Sequence, residues 1–128
     1  MNNELGKYIC KLRIRAGYSQ TKLADVVGVT PYYISYLESG KKFNPSIRVM
    51  AKLFRELNMS KAEIEEFLDI HAKLNGCVSY DIADFIMEND EIRKAIRSER
   101  DKPDSFPDWD AFIAKINLSF GLKNVFSR

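Results

Sequence analysis

The chain has 128 residues, 45% of them hydrophobic and 30% charged, enough to bury one real core with a small second one, and this excludes a disordered tail. Its net charge of +2 is unevenly spread: residues 1–60 hold ten basic and four acidic side chains, net +6, and the remaining 68 residues are net −4. The basic front half is expected to meet a polyanion and the acidic rear half something else.

Apolar residues recur at steps of three and four, which predicts an all-α chain of short helices. Leu5, Ile9, Leu12 and Ala16 share one helical face, with Gly17 as the stop. Ser19 is expected to cap a helix from Gln20 to Val27 that points Leu23 and Ala24 inward and exits at Gly28. Thr30 and Pro31 are a cap and a first-turn proline for a helix ending at Ser39, before Gly40. Asn44 and Pro45 repeat that device and are expected to launch a helix with Ile47, Val49, Met50, Leu53 and Leu57 on its apolar side. Ser60 to Glu63 has a capping-box pattern and opens a longer helix, striped by Ile64, Phe67, Leu68, His71 and Leu74 and closed by Asn75 and Gly76.

Beyond Gly76 the helical rhythm continues. Ser79 is expected to cap a helix with Ile82, Phe85 and Ile86 inward. Asn89 is expected to cap another, with Asp90 and Glu91 at its positive end and Arg97 and Arg100 near its negative end. Ile92 and Ile96 form the narrow apolar stripe of that helix. Pro103 and Pro107 mark a loop, and Trp109, Phe112, Ile113 and Ile116 predict one more amphipathic helix before an apolar tail.

Two of these helices, Gln20 to Val27 and Pro31 to Ser39, joined by a tight glycine turn, have the punctuation of a helix-turn-helix. At about 100° per residue, Tyr32, Ser35 and Tyr36 fall on one face of the second helix and Ile34 and Leu37 on the other. Burying Ile34 and Leu37 against Leu23, Ala24 and Val29 turns the tyrosine edge outward, with a size that suits a major groove about 12 Å wide. Tyr33 falls between the two faces and is read as a packing residue.

Ser19-Gln20-Thr21-Lys22-Leu23-Ala24-Asp25-Val26-Val27-Gly28-Val29-Thr30, followed by Ile34-Ser35-Tyr36-Leu37-Glu38-Ser39-Gly40, resembles the DNA-binding domain of the Cro and phage-repressor (Xre-type) family over about residues 5–70. The resemblance implies a five-helix, lambda-repressor-like bundle that binds operator DNA as a symmetric dimer, here followed by a small helical C-terminal extension. By position it implies Thr30, Pro31, Tyr32, Ser35 and Tyr36 as the base-reading set. Gln20, Lys41 and Lys42 become phosphate ligands, and Arg13 with Glu38 a structural ion pair. The family commonly reads bases with Gln, Asn, Arg or Lys. Tyrosines and a serine here imply readout through hydroxyls, thymine methyl contacts and DNA shape.

The expected organisation is a DNA-binding domain over residues 1–75 and a helical region over 76–128 for dimerisation or partner binding, with Trp109, Phe112, Ile116, Phe120 and Phe126 as its interface. The expected function is a sequence-specific transcriptional regulator, a repressor that binds a palindromic operator in double-stranded DNA as a homodimer. The alternative is an antitoxin-like autoregulator whose rear half neutralises a partner protein.

No enzyme, cofactor or metal is expected. Cys10 and Cys77 lack metal-ligand spacing and are read as buried or idle thiols in a reducing compartment, and His71 is the only histidine and sits on an apolar stripe. Asp81, Asp84 and Glu88 share a helix without a nucleophile or base to work with. No apolar run reaches membrane-spanning length and no signal-peptide pattern opens the chain, so the expected location is the cytoplasm.

Overall fold

The computed structural model describes residues 3–102 and Ala114. Among the described residues there are seven helices and no strand, α1 (Glu4–Arg15), α2 (Gln20–Val27), α3 (Pro31–Ser39), α4 (Ile47–Glu56), α5 (Lys61–Asn75), α6 (Tyr80–Glu88) and α7 (Asp90–Arg100). They divide between Asp81 and Ile82 into two compact units. Trp109, Phe112, Ile116, Phe120 and Phe126 lie outside the described residues, as do the expected 103–108 loop and the helix after it.

In the first unit, α1 to α5 close around one core. Leu5, Ile9 and Leu12 of α1 meet Leu23, Ala24 and Val27 of α2, Ile34 and Leu37 of α3, Met50 and Leu53 of α4, and Phe67 of α5. Each fully buried Leu or Ile contributes on the order of 2 kcal/mol from apolar surface removed from water. Phe54 meets Phe67 edge-on, with ring centroids 5.0 Å apart.

Local chemistry sets most helix ends. Ser19, Thr30 and Ser60 each accept a backbone N–H three residues on, from Lys22, Tyr33 and Glu63 respectively. At Ser60 the box is complete, because Glu63 Oε1 accepts the Ser60 N–H at 2.9 Å. Gly28 ends α2 with φ 84°, a left-handed conformation that glycine adopts without steric cost and that turns the chain into α3.

Several expected details differ. Ala16 is exposed, since α1 ends at Arg15 and Ala16 already belongs to its cap. The cap of α4 is Ser46, whose Oγ accepts the Val49 N–H at 3.2 Å, and not Asn44; Pro45 is buried ahead of the helix and does not open it. Ile47, expected on the apolar side of α4, is 68% exposed at its first position. Ser79 donates its hydroxyl to Asp69 Oδ1 at 2.6 Å. That bond ties the residue before α6 to α5. His71 is buried as expected and packs on Tyr80, with ring centroids 5.1 Å apart. Cys10 is half-buried beside Arg13, whereas Cys77 is exposed.

No α6 residue is fully buried: of the expected inward set Phe85 and Ile86 are partly covered and Ile82 is exposed, and Met87 is 66% exposed. Asn89 makes no capping bond; its amide donates back to the Phe85 carbonyl. Arg93 donates to the carbonyls of Ile86 and Met87, which satisfies the C-terminal end of α6. Ile92 is buried, and the acidic first turn and basic last turn of α7 stand as expected.

Three contacts lock α1 to its neighbours. At Gly6 a Cβ atom would lie 2.4 Å from the carbonyl oxygens of both Leu37 and Glu38, so glycine is what allows α1 to touch the end of α3. Glu38 accepts Arg13 Nε at 2.7 Å, Arg13 Nη2 at 3.0 Å and Gln20 Nε2 at 3.1 Å, joining α1, α2 and α3 on one largely buried carboxylate. Burial pushes the Glu38 carboxyl pKa up, but the Arg13 and Gln20 hydrogen bonds and the Arg13 charge outweigh it and leave it below the usual carboxylate value. Arg15 pairs with Glu63 and donates to the Leu57 carbonyl at 3.3 Å, which connects α1 to the start of α5. The Arg15 hydrogen bond, with the Ser60 N–H behind it, pulls the Glu63 pKa from 4.5 to about 2.

Gly6→Ala is expected to lower unfolding stability by about 2 kcal/mol in urea titrations, because both opposing atoms are backbone and cannot turn aside. Glu38→Ala is expected to cost about 3 kcal/mol by leaving Arg13 buried without its carboxylate. Glu38 and Glu63 both have depressed native pKa values, so their stabilisation is complete above the unfolded carboxylate value and is lost as pH falls through the native one. For Glu63 that window runs from pH 4.5 down to about 2, and Glu63→Gln is expected to flatten the acid limb of a stability-versus-pH curve within it.

Candidate nucleic-acid interface

The exposed side of α3 follows from what its other side buries. Ile34 and Leu37 are fully enclosed, and Tyr33 packs against the same core, its hydroxyl pKa raised by burial against a backbone hydrogen bond at Ser46. One turn apart on the opposite edge, Tyr32 is 74% and Tyr36 45% exposed, with ring centroids 6.5 Å apart and the planes tilted by 47°. Ser35, half-buried, lies between them, and Pro31 is exposed at the helix start. The structure thus brings Pro31, Tyr32, Ser35 and Tyr36 together on one edge. Thr30 is exposed beside them, but its Oγ1 is occupied as the cap of Tyr33 N–H at 3.2 Å.

The segment after α3 folds back over the end of the helix. Ser39 Oγ donates to the Tyr36 carbonyl at 3.2 Å and accepts the Lys41 N–H at 3.4 Å, and Lys42 N–H donates to the same Tyr36 carbonyl at 3.0 Å. These bonds place Lys41 Nζ 5.4 Å from the Tyr36 ring centroid and Lys42 Nζ 5.2 Å from that of Tyr33. Among the described residues neither lysine has a carboxylate within ion-pair distance. The sequence places both lysines after the helix, but their ring contacts depend on the turn geometry and have no linear signature.

Gln20 opens α2, where the first N–H groups of a helix have no intrahelical acceptor. One of its side-chain N–H groups is committed to Glu38. Three carboxylates of the front half are also engaged: Glu38 by Arg13, Asp25 by Lys22 at 3.8 Å and Glu56 by Arg55 at 3.7 Å. Lys52 is half-buried and brings its ammonium to the left-handed Gly28 at the negative end of α2.

Among the described residues no cluster of three or more His, Cys, Asp or Glu side chains could hold a metal ion, and no helix is long and apolar enough to cross a membrane. Asp81, Asp84 and Glu88 are all exposed. What the front unit offers is a small helix edge with aromatic rings, hydroxyls and flanking ammonium groups, mounted on a rigid three-helix junction.

Comparison with known families matches residues 11–71 to the Helix-turn-helix family. Comparison with curated proteins and with solved structures gives no significant match. The matched segment runs from within α1 to within α5 and contains α2, the Gly28 turn and α3. Over residues 11–71, just under half of its length, the chain is thus similar to the Cro/C1-type (Xre) helix-turn-helix family, and this supports a DNA-binding transcription regulator.

Proposed function

We propose that the chain is a cytoplasmic repressor that binds a palindromic operator in double-stranded DNA as a homodimer, laying α3 in the major groove. The observation that carries this reading is the outward Tyr32–Tyr36 edge of α3, held in place by the Glu38 junction and flanked by Lys41 and Lys42. Thr30, Pro31, Tyr32, Ser35 and Tyr36 then face the bases. Lys41, Lys42 and the α2 start with Gln20 grip the backbone on either side, giving position without sequence information.

Residues 76–128 supply the second copy. Two half-sites about 34 Å apart need two correctly spaced recognition helices. The second unit leaves Met87 and Ile96 exposed on a shallow groove that also involves Ile86, Arg93, Arg97 and Arg100. An uncovered apolar strip with a basic rim, on a half of the chain with net charge −4, is suited to self-association.

Selection of bound duplexes from a random pool is expected to return a palindromic consensus. Against that duplex Tyr36→Ala is expected to lose about tenfold in affinity and to lose much less on random sequence. Equal losses on both would remove Tyr36 from the reading set. Lys41→Ala is expected to weaken all duplexes alike and to reduce the slope of log K against log salt by about 1. In sedimentation experiments Ile96→Glu is expected to shift the protein toward monomer and to weaken operator binding with it; an unchanged dimer would place the contact elsewhere. Co-purification of a second protein in stoichiometric amount would move the role of the rear half from dimerisation to partner binding.

A further inference from the structure

The polar atoms of the α3 edge have one chemistry. Thr30, Tyr32, Ser35, Tyr36 and Ser39 present hydroxyls only, with no amide or guanidinium among them. Two of these hydroxyls are already used, Thr30 in capping α3 and Ser39 in bonding the Tyr36 carbonyl and the Lys41 N–H. Those of Tyr32, Ser35 and Tyr36 bond no other side chain or carbonyl among the described residues and remain for a ligand. A hydroxyl rotates to donate or to accept, so it is satisfied equally by the O4 acceptor of thymine and by the N4 donor of cytosine. Hydrogen bonding from this edge carries little information about which base is present.

The rings do carry information. Tyr32 is 74% and Tyr36 45% exposed, with Lys41 over the Tyr36 ring and Tyr32 beside it, and their remaining exposed ring surface is apolar. The apolar group that base edges offer in the major groove is the C5 methyl of a pyrimidine. Resting on the DNA-binding reading above, we infer that Tyr32 and Tyr36 make this domain a reader of pyrimidine C5 methyl groups, accepting thymine and 5-methylcytosine alike and disfavouring uracil and unmodified cytosine. Cytosine methylation inside a binding site would therefore strengthen binding.

The test uses the full chain and the duplex selected from a random pool, with each pyrimidine of a half-site changed in turn. At contacted positions thymine to uracil is expected to weaken binding about fourfold per methyl, the size of one buried methyl group. Cytosine to 5-methylcytosine is expected to strengthen it by the same factor, and 5-methylcytosine paired with guanine is expected to replace thymine paired with adenine within about twofold. Tyr36→Phe, which keeps the ring, is expected to retain the methyl effect at its position, and Tyr36→Ala to abolish it. Equal binding of thymine and uracil duplexes at every position, a preference for thymine over 5-methylcytosine beyond about tenfold, or binding with no sequence preference would each overturn the inference while leaving DNA binding intact. Failure to bind any duplex at low salt would instead overturn the DNA-binding reading itself and this inference with it.

Discussion

The geometry of the front unit depends on one carboxylate. Glu38, on the last turn of α3, accepts two hydrogen bonds from Arg13 of α1 and one from Gln20 of α2. Arg13 uses its remaining terminal nitrogen to reach the Tyr18 carbonyl at 2.9 Å, so the link between α1 and α2 is held from the same guanidinium. An apolar core alone tolerates small rotations of short helices. A planar guanidinium paired side by side with a carboxylate tolerates far less. Burying such a pair is costly, and the surrounding hydrogen bonds are what make it a net constraint rather than a liability.

From that junction the position of the reading edge follows by short, stiff links. Thr30 caps α3 at one end, Gly40 ends it at the other, and Ile34 and Leu37 fix its rotation by burial. Gly6 lets α1 lie directly against the carbonyls of Leu37 and Glu38, bringing Arg13 within reach of its partner. The tyrosines need no strain to face outward. Only nine residues long, α3 would be marginal in isolation, and its stability comes from the faces it shares with α1 and α2.

Charge is arranged with similar economy. In the front half Asp25, Glu38 and Glu56, which would repel a polyanion, are matched by nearby cations, while Lys41 and Lys42 stand beside aromatic rings with no carboxylate paired to them among the described residues. An ammonium over a ring keeps its charge and most of its hydration, so it stays available to a phosphate. The rear unit works by different means. On α7, Asp90 pairs with both Lys94 and Arg93, and such exposed pairs one turn apart contribute only a few tenths of a kcal/mol each.

The α2 and α3 boundaries, the Ser60 capping box, the burial of Ile34 and Leu37 and the outward turn of Tyr32 and Tyr36 were legible in the linear chain. Each depends on caps, glycines and apolar spacing within a few residues, and these act whatever the rest of the molecule does. Arg13 with Glu38 was legible only through resemblance, because a pair 25 residues apart leaves no periodic trace. Tertiary structure alone decided that Gln20 joins that pair, that Gly6 is a contact point, that Ser46 displaces Asn44 as a cap, and that Ser79 bonds Asp69. It also decided that Lys41 and Lys42 rest on tyrosine rings. In each of these cases several local partners were chemically acceptable, and the choice among them was made by which groups the packed helices brought within hydrogen-bonding or van der Waals reach.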